Sequence, residues 1–551
     1  MTLTVSTSRL RSTIAAMAVA ALSWAVAAPA VAPDAGNGLT SAVSAAVDPT
    51  LSGISGTAHV LVQGARATES TIAELGGKVT HDLPLIGGYS ATIPAAKISQ
   101  LAHTPGVKTI VRDTHMTVQA APVGMTASPQ NPPNVYQQVT GADRLQSAGA
   151  DGHGVTVAVL DTGISSMADT SGRLVSVQTD PVGHRANCVN FTGDGTCTDL
   201  FGHGTYIGGL VAGNGAASGG KYAGVAPGAK LLSVKVAGAD GSADVSTVIA
   251  ALQWVITFKN TYNIKVLNLS LGTDGTQSYQ LSPLDYAVEK AWNAGITTLV
   301  SASNLGPGAS TVDKPADDPF VITVGATDDN GTVDLSDDTV PFWSARGPTA
   351  ADGLAKPDIT APGVGLVSLA APGASLTVNH PPAMAAPYRQ AAGTSFSTAV
   401  VSGLVADILS AHPDWSPNRV KFALMNTAQS DAGDDPMAVG AGLVDGYAAL
   451  SAPAGLANQG ITPSTGLGSL QADRGSVNVQ VNGAGGATVV NGEVTAQLTP
   501  WNFLTMLAAN FNGTSWYGTS WYGTSWYGTS WYGTSWYGTS WYGTSWYGYW
   551  A

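Results

Sequence analysis

The sequence predicts an α/β fold in which helices cover both faces of a doubly wound, mostly parallel sheet. The first observation is a set of five short runs that are apolar on both faces, as strands buried between two helical layers must be. These runs are Val155–Leu160, Leu231–Val236, Val266–Leu271, Ile296–Ser301 and Phe320–Gly325. The second observation is that helical patterns separate them. Because ligand chemistry in such sheets lies at the carboxyl ends of the strands, we expect the functional site at that edge.

The segments between these strands carry helix signals. Apolar residues recur at helical spacing between residues 244 and 260. Further along, Ser282 and Pro283 have the residue types of an N-cap and a first helical position, and Gly295 is placed to follow the helix end. Strand and helix therefore alternate along this part of the chain.

Composition excludes several classes of protein. The chain has 551 residues, a formal net charge of -13, 44% hydrophobic residues and 11% charged residues. An acidic balance argues against nucleic acid as a partner, because nucleic-acid binding needs a basic surface. Two cysteines are too few for a disulfide scaffold or a multi-cysteine zinc module. No run after the N-terminus stays fully apolar for about 18 residues, so we expect no membrane span in the mature chain.

The chain start has the layout of a secretory signal peptide. Arg9 and Arg11 precede an Ala-rich apolar stretch, which ends at small-residue triplets around Pro29. A retained membrane anchor is the alternative, disfavoured because Ala adds little hydrophobic free energy and Pro29 breaks a helix. We therefore expect a secreted, extracellular protein. Export would place Cys188 and Cys197 in an oxidising compartment, where we expect them to form a small bridged loop, with two free thiols as the alternative.

The remaining chain divides by composition. Residues 57–118 follow a β-α-β-β-α-β order, typical of a small α+β, ferredoxin-like (split βαβ) module. The predicted regions are a signal peptide at 1–32, this module at 57–118, a Pro-rich linker at 119–134, the α/β domain at 135–454, a C-terminal extension at 455–512 and a low-complexity tail at 513–551.

The tail consists mainly of consecutive copies of GTSWY. A period of five fits neither a strand nor a helix, so its tryptophans cannot form one stripe on either element. A flexible extension, binding of cell-wall glycan through aromatic faces, and self-association of β-prone segments are the alternatives. Cell-wall association is thus an open hypothesis.

Three polar residues stand at positions suited to nucleophilic catalysis. Asp161 ends a predicted strand, His203 lies in a Gly-rich turn before an apolar-small run, and Ser395 stands just ahead of a strongly periodic helix. A helix start offers unpaired N–H groups and a positive dipole end to developing negative charge. Each residue alone has an ordinary structural alternative: a turn aspartate, a packed histidine and a helix cap. The chain order Asp, His, Ser is nevertheless that of one known triad architecture.

The motifs around these residues resemble those of the subtilisin-like serine peptidases, the subtilases. They are VAVLDTGI around Asp161, GHGT around His203 and GTSFSTAVVSG around Ser395. The similarity continues in segments such as KPDITAPG and GAGLVD, and covers roughly residues 135–450. The resemblance implies a subtilisin-like fold and a serine endopeptidase activity that needs no cofactor for its chemistry.

Carried over to this chain, the resemblance implies a role for each motif residue. Ser395 would be the nucleophile, His203 the general base, and Asp161 the group that orients the imidazole and stabilises the imidazolium. Asn304 would donate its side-chain amide to the oxyanion, beside the backbone N–H of Ser395. Taken alone, Asn304 before Leu305-Gly306-Pro307 would be interpreted as a turn asparagine.

The resemblance also implies how polypeptide substrates bind. Ser270, Leu271 and Gly272, with the loop near Gly238, would pair with an extended substrate backbone as an added strand. Residues 57–118 would be an inhibitory propeptide, with its end lying in the cleft like a product.

Two positions depart from the family pattern. Tyr206 stands where a His is usual after GHGT, so altered packing is expected there. Ala399 and Val400 replace the Pro-His common after the nucleophile, which concerns the local helix start. Neither change removes a group that the chemistry needs.

Acidic pairs at Asp328-Asp329 and Asp337-Asp338 are candidates for structural calcium, with solvated loop carboxylates as the favoured alternative, and no metal ligands are assigned. The sequence therefore predicts a secreted serine endopeptidase made as a self-processing zymogen, inhibited by its own propeptide. A catalytically inactive surface or adhesion protein is the competing hypothesis.

Overall fold

The computed structural model describes residues 45–48, 51, 54–64, 69–113, 115–118, 135–179, 183–379, 386–430, 435–468, 480–483 and 486–489. The described residues all belong to one compact unit, Val43–Ala551. The predicted signal peptide, the linker, the GTSWY tail and much of the C-terminal extension lie outside them.

The N-terminal module, residues 45–113, is a five-stranded sheet with two short helices. Its elements are β1 (Ala46–Val47), β2 (Thr57–Gly64), α1 (Glu69–Glu74), β3 (Lys78–Leu83), β4 (Gly88–Pro94), α2 (Ile98–Ala102) and β5 (Val107–Arg112), with 3-10 turns at Pro84–Ile86 and Ala95–Lys97. The sheet order is β1-β5-β2-β4-β3. β1 is parallel to β5, and the other pairs are antiparallel. The module has its own apolar core, built from residues such as Val60, Ile72 and Leu101.

The remaining described strands follow the module along the chain, and those of the central sheet form a larger body. They are β6 (His115–Val118), β7 (Thr156–Asp161), β8 (Val177–Gln178), β9 (Arg185–Ala186), β10 (Cys188–Asn190), β11 (Lys230–Lys235), β12 (Ser242–Asp244), β13 (Ile264–Leu269), β14 (Leu271–Gly272), β15 (Thr297–Ser301), β16 (Ile322–Thr327), β17 (Ile359–Pro362), β18 (Leu366–Leu369), β19 (Tyr388–Ala391), β20 (Gln480–Gly483) and β21 (Gly486–Val489). Seven of them form one sheet in the order β10-β11-β7-β13-β15-β16-β17. Every neighbouring pair in it is parallel.

Helices cover this sheet on both faces. They are α3 (Val135–Val139), α4 (Ala142–Ser147), α5 (His203–Ala212), α6 (Val245–Phe258), α7 (Pro283–Asn293), α8 (Ser375–Asn379), α9 (Thr394–Ala411), α10 (Pro417–Thr427), α11 (Pro436–Val439) and α12 (Gly446–Ala449). Alternate residues of β7 point to opposite sides. Ala158 and Leu160 join the core that contains α6 and α7, and Val157 and Val159 join the core that contains α5 and α9. The predicted doubly wound α/β fold is confirmed.

The helix signals read from the sequence act as expected. Ser282 caps α7 by accepting a hydrogen bond from the Asp285 backbone N–H, at 3.0 Å, and Pro283 is the first helical residue. Gly295 follows the helix with φ +87°, a conformation that favours glycine. The helix predicted between 244 and 260 is α6.

One helix, α9, is long and apolar enough to cross a membrane by length and hydropathy alone, which the sequence pattern did not indicate. Within the described residues it is a core helix, because 89% of its apolar window is buried. Its polar residues are small and lie inside the fold, so its length serves packing against the central sheet.

β7 marks the topological switch point of the sheet. The chain leaves β7 toward β11 on one side and later toward β13 on the other. Crevices at such a point form at the carboxyl ends of the strands. Asp161, the last residue of β7, therefore stands at the position where an α/β sheet binds its ligand.

Candidate active site

Asp161 and His203 form a buried pair at the carboxyl edge of the sheet. His203 Nδ1 lies 2.9 Å from both carboxylate oxygens of Asp161. Asp161 is 0% exposed and His203 is 1% exposed. This contact fixes the imidazole ring and commits Nδ1 to the carboxylate, so the other ring nitrogen, Nε2, is the one left to exchange a proton.

The two residues meet because β7 and α5 approach each other closely. Thr162 follows Asp161, donates its backbone N–H to the carboxylate at 2.7 Å, and accepts the Gly204 N–H on its hydroxyl at 2.9 Å. A Cβ at Gly204 would collide with the Gly163 carbonyl and lie 3.1 Å from Asp161 Oδ1. Glycine is therefore required after His203 for the carboxylate to reach the ring.

Asp199 holds the turn that delivers His203, a role that sequence reasoning missed. Its Oδ1 accepts the backbone N–H groups of Phe201 and Gly202, at 3.1 and 2.6 Å. Its Oδ2 accepts the backbone N–H and hydroxyl of Thr205, at 2.8 and 2.7 Å. Burial raises the pKa of Asp199, while these hydrogen bonds act in the opposite direction. The signal in the sequence was an aspartate four residues before a helix-opening histidine.

Ser395 is the second residue of α9, inside the first helical turn rather than ahead of it. It is 0% exposed. The next residue, Phe396, packs its ring 5.7 Å from the His203 ring. His203 Nε2 is buried and has no hydrogen-bond partner among the described residues, so a bond from Ser395 Oγ to Nε2 is not formed. Such bonds commonly tighten only when substrate is bound.

A chain of hydrogen bonds ties the start of α9 to β13. Asn268 Nδ2 donates to Ser402 Oγ at 3.0 Å, and Ser402 Oγ donates to the Thr398 carbonyl at 2.8 Å. Ser270 Oγ donates to Asn268 Oδ1 at 3.1 Å and lies 3.5 Å from the Ser395 carbonyl oxygen. The side chain of Ser270 thus contributes to positioning α9.

Asn304 lies beside the nucleophile candidate. Its side-chain oxygen accepts both the backbone N–H and the hydroxyl of Thr394, at 2.9 and 3.1 Å. Ser303, just before it, has φ +104° and is fully buried. That conformation is strained for a residue with a side chain.

The substrate cleft predicted from the sequence is occupied by the chain itself. β6 lies between β12 and β14 and is antiparallel to both, so that Thr117 is opposite Ser242 on one side and Gly272 on the other. Leu271 is opposite Val118. Gly238 does not pair with β6, because its N–H donates to the Ser242 carbonyl at 3.0 Å. The edge strand on that side is β12, which the sequence did not indicate.

Cys188 and Cys197 are joined by a disulfide, which settles the choice between a bridge and free thiols. The bridged loop is also anchored by charge. Lys235 Nζ donates to Asp194 Oδ2 at 2.5 Å, and Lys235 pairs with Asp161 across β11 and β7. The disulfide loop therefore packs next to the strand end that carries the carboxylate.

Tyr206, which departs from the family pattern, is buried in the core. Its hydroxyl donates to the Leu366 carbonyl at 2.5 Å, and its ring lies 4.3 Å from the Phe396 ring. Burial raises the pKa of its hydroxyl, so it stays neutral. Ala399 and Val400 lie within α9, which runs unbroken through them.

The acidic loop mainly uses its carboxylates for its own turns. Asp328 Oδ1 accepts the Asn330 N–H and Asp329 Oδ1 accepts the Gly331 N–H, each at 3.1 Å, and Asp337 Oδ1 accepts the Thr332 hydroxyl at 2.9 Å. Burial, followed by the surrounding carboxylates, raises the pKa of Asp338 to about 7. Among the residues that the structure describes, no group of three His, Cys, Asp or Glu side chains is arranged to hold a metal ion.

A doubly wound sheet with an Asp–His pair at its switch point and a serine in the first turn of a core helix has the groups expected of a serine hydrolase. The family model of the subtilases, peptidase family S8, matches residues 152–460, more than half of the chain. The chain belongs to the subtilase family of serine-type endopeptidases, so the resemblance read from the three motifs is confirmed.

Two relatives from Bacillus subtilis (strain 168) give the scale of the similarity. The serine protease AprX is 40% identical over 300 residues, which cover 53% of this chain and 65% of AprX. Subtilisin E is 31% identical over 369 residues, which cover 65% of this chain and 80% of subtilisin E. The chain thus spans just under two thirds of AprX.

A solved structure supports the fold independently. Fervidolysin from Fervidobacterium pennivorans, a keratinolytic enzyme related to subtilisin, matches with a TM-score of 0.54 at 24% identity. The match covers 76% of this chain and 64% of fervidolysin. At this level of identity it shows the fold alone.

Proposed function

We propose that this chain is a secreted serine endopeptidase, made as a zymogen that removes its own prosegment, residues 57–118. The proposal is supported by the Asp161–His203 pair, by Ser395 in the first turn of α9, and by a cleft in which β6 pairs with a strand on each side. A peptide bound as a third strand between β12 and β14 is how an extended substrate would be recognised.

The chemistry follows from the groups present. His203 Nε2 takes the proton of Ser395 Oγ as that oxygen attacks the peptide carbonyl carbon, and Asp161 stabilises the resulting imidazolium. The carbonyl oxygen becomes an oxyanion, which accepts hydrogen bonds from the Ser395 N–H and from Asn304 Nδ2. The C–N bond then breaks, and His203 returns the proton to the leaving amine. Water repeats the sequence on the acyl-enzyme and regenerates Ser395.

Asn304 is suited to this role because its amide oxygen is committed to Thr394. The amide is therefore held in one orientation, and Nδ2 is the atom that serves as donor to the oxyanion. The helix dipole of α9 adds positive potential at the same place.

Inhibition before maturation follows from the position of β6. Its backbone pairs with both edge strands that a substrate would use, so a second peptide cannot bind in the same register. The direction of β6 takes its C-terminal end toward Ser270, whose hydroxyl lies 3.5 Å from the Ser395 carbonyl oxygen. This supports the prosegment as an inhibitor that ends near the nucleophile.

The test compares Ser395→Ala with Ser397→Ala in a host without other proteases. Both serines are buried in the first turns of α9, but Ser397 Oγ has no partner among the described residues and no step in the mechanism. Ser395→Ala should abolish peptide hydrolysis and prosegment release, and Ser397→Ala should keep both. Maturation of Ser395→Ala at the full rate would refute self-processing.

An inactive surface or adhesion protein is distinguished by a second measurement. A sulfonyl fluoride or organophosphonate probe should label Ser395 in the mature wild-type chain and leave the Ser395→Ala chain unlabelled. Failure to label the mature wild-type chain would favour the inactive protein.

For export and the tail, the proposal rests on the sequence. Removal of residues 1–32 during secretion, and retention on cell-wall glycan through the aromatic tail, are its two parts. Binding to isolated cell walls should fall when the chain is truncated at Asn510. Equal retention of both forms would remove the glycan hypothesis.

A further inference from the structure

A segment beyond the family match is bound tightly to the catalytic body. We define the C-terminal segment as residues 461–468, which follow the end of the match at 460. The Ser464 backbone N–H donates to both carboxylate oxygens of Glu289 on α7, at 2.8 and 3.0 Å. Ser464 Oγ donates to the Ser282 carbonyl at 3.0 Å, and the Thr465 N–H donates to the Gln280 carbonyl at 2.8 Å.

The backbone of this segment lies directly on α7. A Cβ at Gly466 would come within 2.9 Å of Tyr286 Cγ, and Gly466 has φ +63°. On the same side, Tyr279 donates its hydroxyl to the Thr462 carbonyl at 3.0 Å. A side chain at Gly466 would therefore push the segment away from the helix.

The opposite side of the segment faces the N-terminal module. Gln63 of β2 is 1% exposed, and its Nε2 donates to the Gly466 carbonyl and to the Ile86 carbonyl. Its Oε1 accepts the Thr109 hydroxyl at 2.9 Å. A buried amide of the module thus depends on the C-terminal segment for one of its hydrogen bonds, and leaving such a donor unpaired is costly.

The described contact between module and body also has an apolar part. Leu61, Leu83, Leu85, Ile86 and Val111 of the module share one core with residues of α6 and α7. Apolar contacts of this kind give affinity without direction, whereas the Gln63–Gly466 hydrogen bond fixes one position.

We propose that the C-terminal segment is a third part of the surface on which the N-terminal module docks, beside α6 and α7, and that it slows release of the module after cleavage. The second half of this statement rests on the proposed zymogen function. Removal or displacement of the segment then becomes a step that hastens activation.

Docking is tested without any activity, by hydrogen–deuterium exchange on the full chain carrying Ser395→Ala. Gly466→Ala should speed amide exchange in β2 and β5 about tenfold and leave β7 unchanged. Gly460→Ala is the matched control, because Gly460 also has a positive φ, +75°, but a Cβ there meets nothing within 4 Å. Equal exchange in all three chains, or the same increase for Gly460→Ala, would overturn the proposal.

A variant on the module side uses the same hydrogen bond. Gln63→Met keeps the length of the side chain and removes its donor, so it should speed exchange in β2 and β5 as well. Because both changes act through one contact, the double variant should exchange no more than about twofold faster than the faster single variant. If the increases in exchange rate of the two single variants multiply fully in the double variant, the two residues do not act through a shared contact. If Gly466→Ala also alters β7, Gln63→Met alone decides.

The effect on activation is read separately in the chain with Ser395 intact. Gly466→Ala should shorten the lag before full peptidase activity several-fold, with kcat/KM of the mature enzyme unchanged. If amide exchange in β2 and β5 becomes faster but the prosegment is never cleaved, the docking proposal is supported and the proposed zymogen function is refuted. If cleavage occurs with an unchanged lag, the segment does not control release.

Discussion

Thr394 donates both its backbone N–H and its hydroxyl to Asn304 Oδ1, at 2.9 and 3.1 Å. One residue of α9, next to the serine, therefore sets the orientation of the amide that would stabilise the oxyanion. The helix start that carries the proposed nucleophile also orients the proposed oxyanion donor.

This relationship gives the first prediction. Asn304→Ala should lower kcat by about 10²–10³, the loss that removal of one such donor causes in a subtilisin. Thr394→Val removes only the hydroxyl and should lower kcat by roughly tenfold with little change in KM, because the backbone N–H still holds the amide. Steady-state kinetics on a peptide substrate measure both. A Thr394→Val enzyme with an increased KM and normal kcat would contradict the positioning role.

The second prediction concerns the pairing of Asp161 with His203. Asp161→Asn keeps the shape of the side chain but favours the wrong imidazole tautomer, so kcat should fall by about 10⁴. KM should change little, because the edge strands of the cleft are untouched. Circular dichroism should show an unchanged fold. A loss of less than tenfold would mean that His203 is oriented by other groups.

The third prediction concerns Asp407, a carboxyl group buried in α9. Neither of its oxygens has a hydrogen-bond partner among the described residues. Burial raises the pKa of Asp407 well above its ordinary 3.8, and Asp151 adds to the shift. The folded state therefore binds the proton more tightly than the unfolded state. The stability that this proton contributes is complete below the unfolded pKa and is lost as pH rises toward the folded pKa.

Asp407→Asn removes this dependence. The variant should be more stable than the wild type by about 1–3 kcal/mol near neutral pH, with the difference shrinking as the pH falls toward 4. Melting temperatures across that range measure it. Asp414→Asn, at an exposed position just beyond the same helix, is the control and should change stability by less than about 0.5 kcal/mol. If the extra stability of Asp407→Asn over the wild type increased at acid pH, the predicted direction of the pH dependence would be wrong.

The fourth prediction concerns the disulfide. Replacing Cys188 and Cys197 together by serine should lower the free energy of unfolding by about 2–3 kcal/mol, because the unfolded chain loses a closed loop. Lys235 and Asp194 still anchor the loop, so the activity of the folded enzyme should be kept at low temperature. Unfolding in denaturant, with a reduced wild-type sample as the control, checks the difference. Equal stability of oxidised and reduced wild type would refute it.

Much of the fold was predictable because the signals are local. The buried strands are short runs of β-branched and aliphatic residues. The start of α7 is predicted by its capping residues alone, Ser282 and Pro283. Asp161, His203 and Ser395 stood out because each lies within two residues of a glycine, where a strand or helix ends or begins. Their separation along the sequence does not give their distance in space. Only the three-dimensional structure shows that Asp161 and His203 are in contact.

Other features depend on contacts between distant parts of the chain. In the sequence Asp199 looks like an ordinary turn residue. Its role is seen only when the N–H and hydroxyl groups that donate hydrogen bonds to its carboxylate are known. β12 is too short and too polar to be recognised as an edge strand from sequence. Gln63 and Gly466 are 403 residues apart, and no pattern in either neighbourhood points to the other. The burial of Asp407 could not be predicted either, because a single carboxyl group does not disturb the apolar helical period of α9.

The pairing of β6 with two flanking strands is made by main-chain groups, which every amino acid possesses. A polypeptide recognised in this way must have a stretch of backbone whose N–H and C=O groups are not hydrogen-bonded within its own secondary structure. A compact globular protein offers few such stretches, whereas a denatured or fraying one offers many. Vulnerability to this enzyme would then follow the local unfolding of its target more closely than the identity of any one side chain.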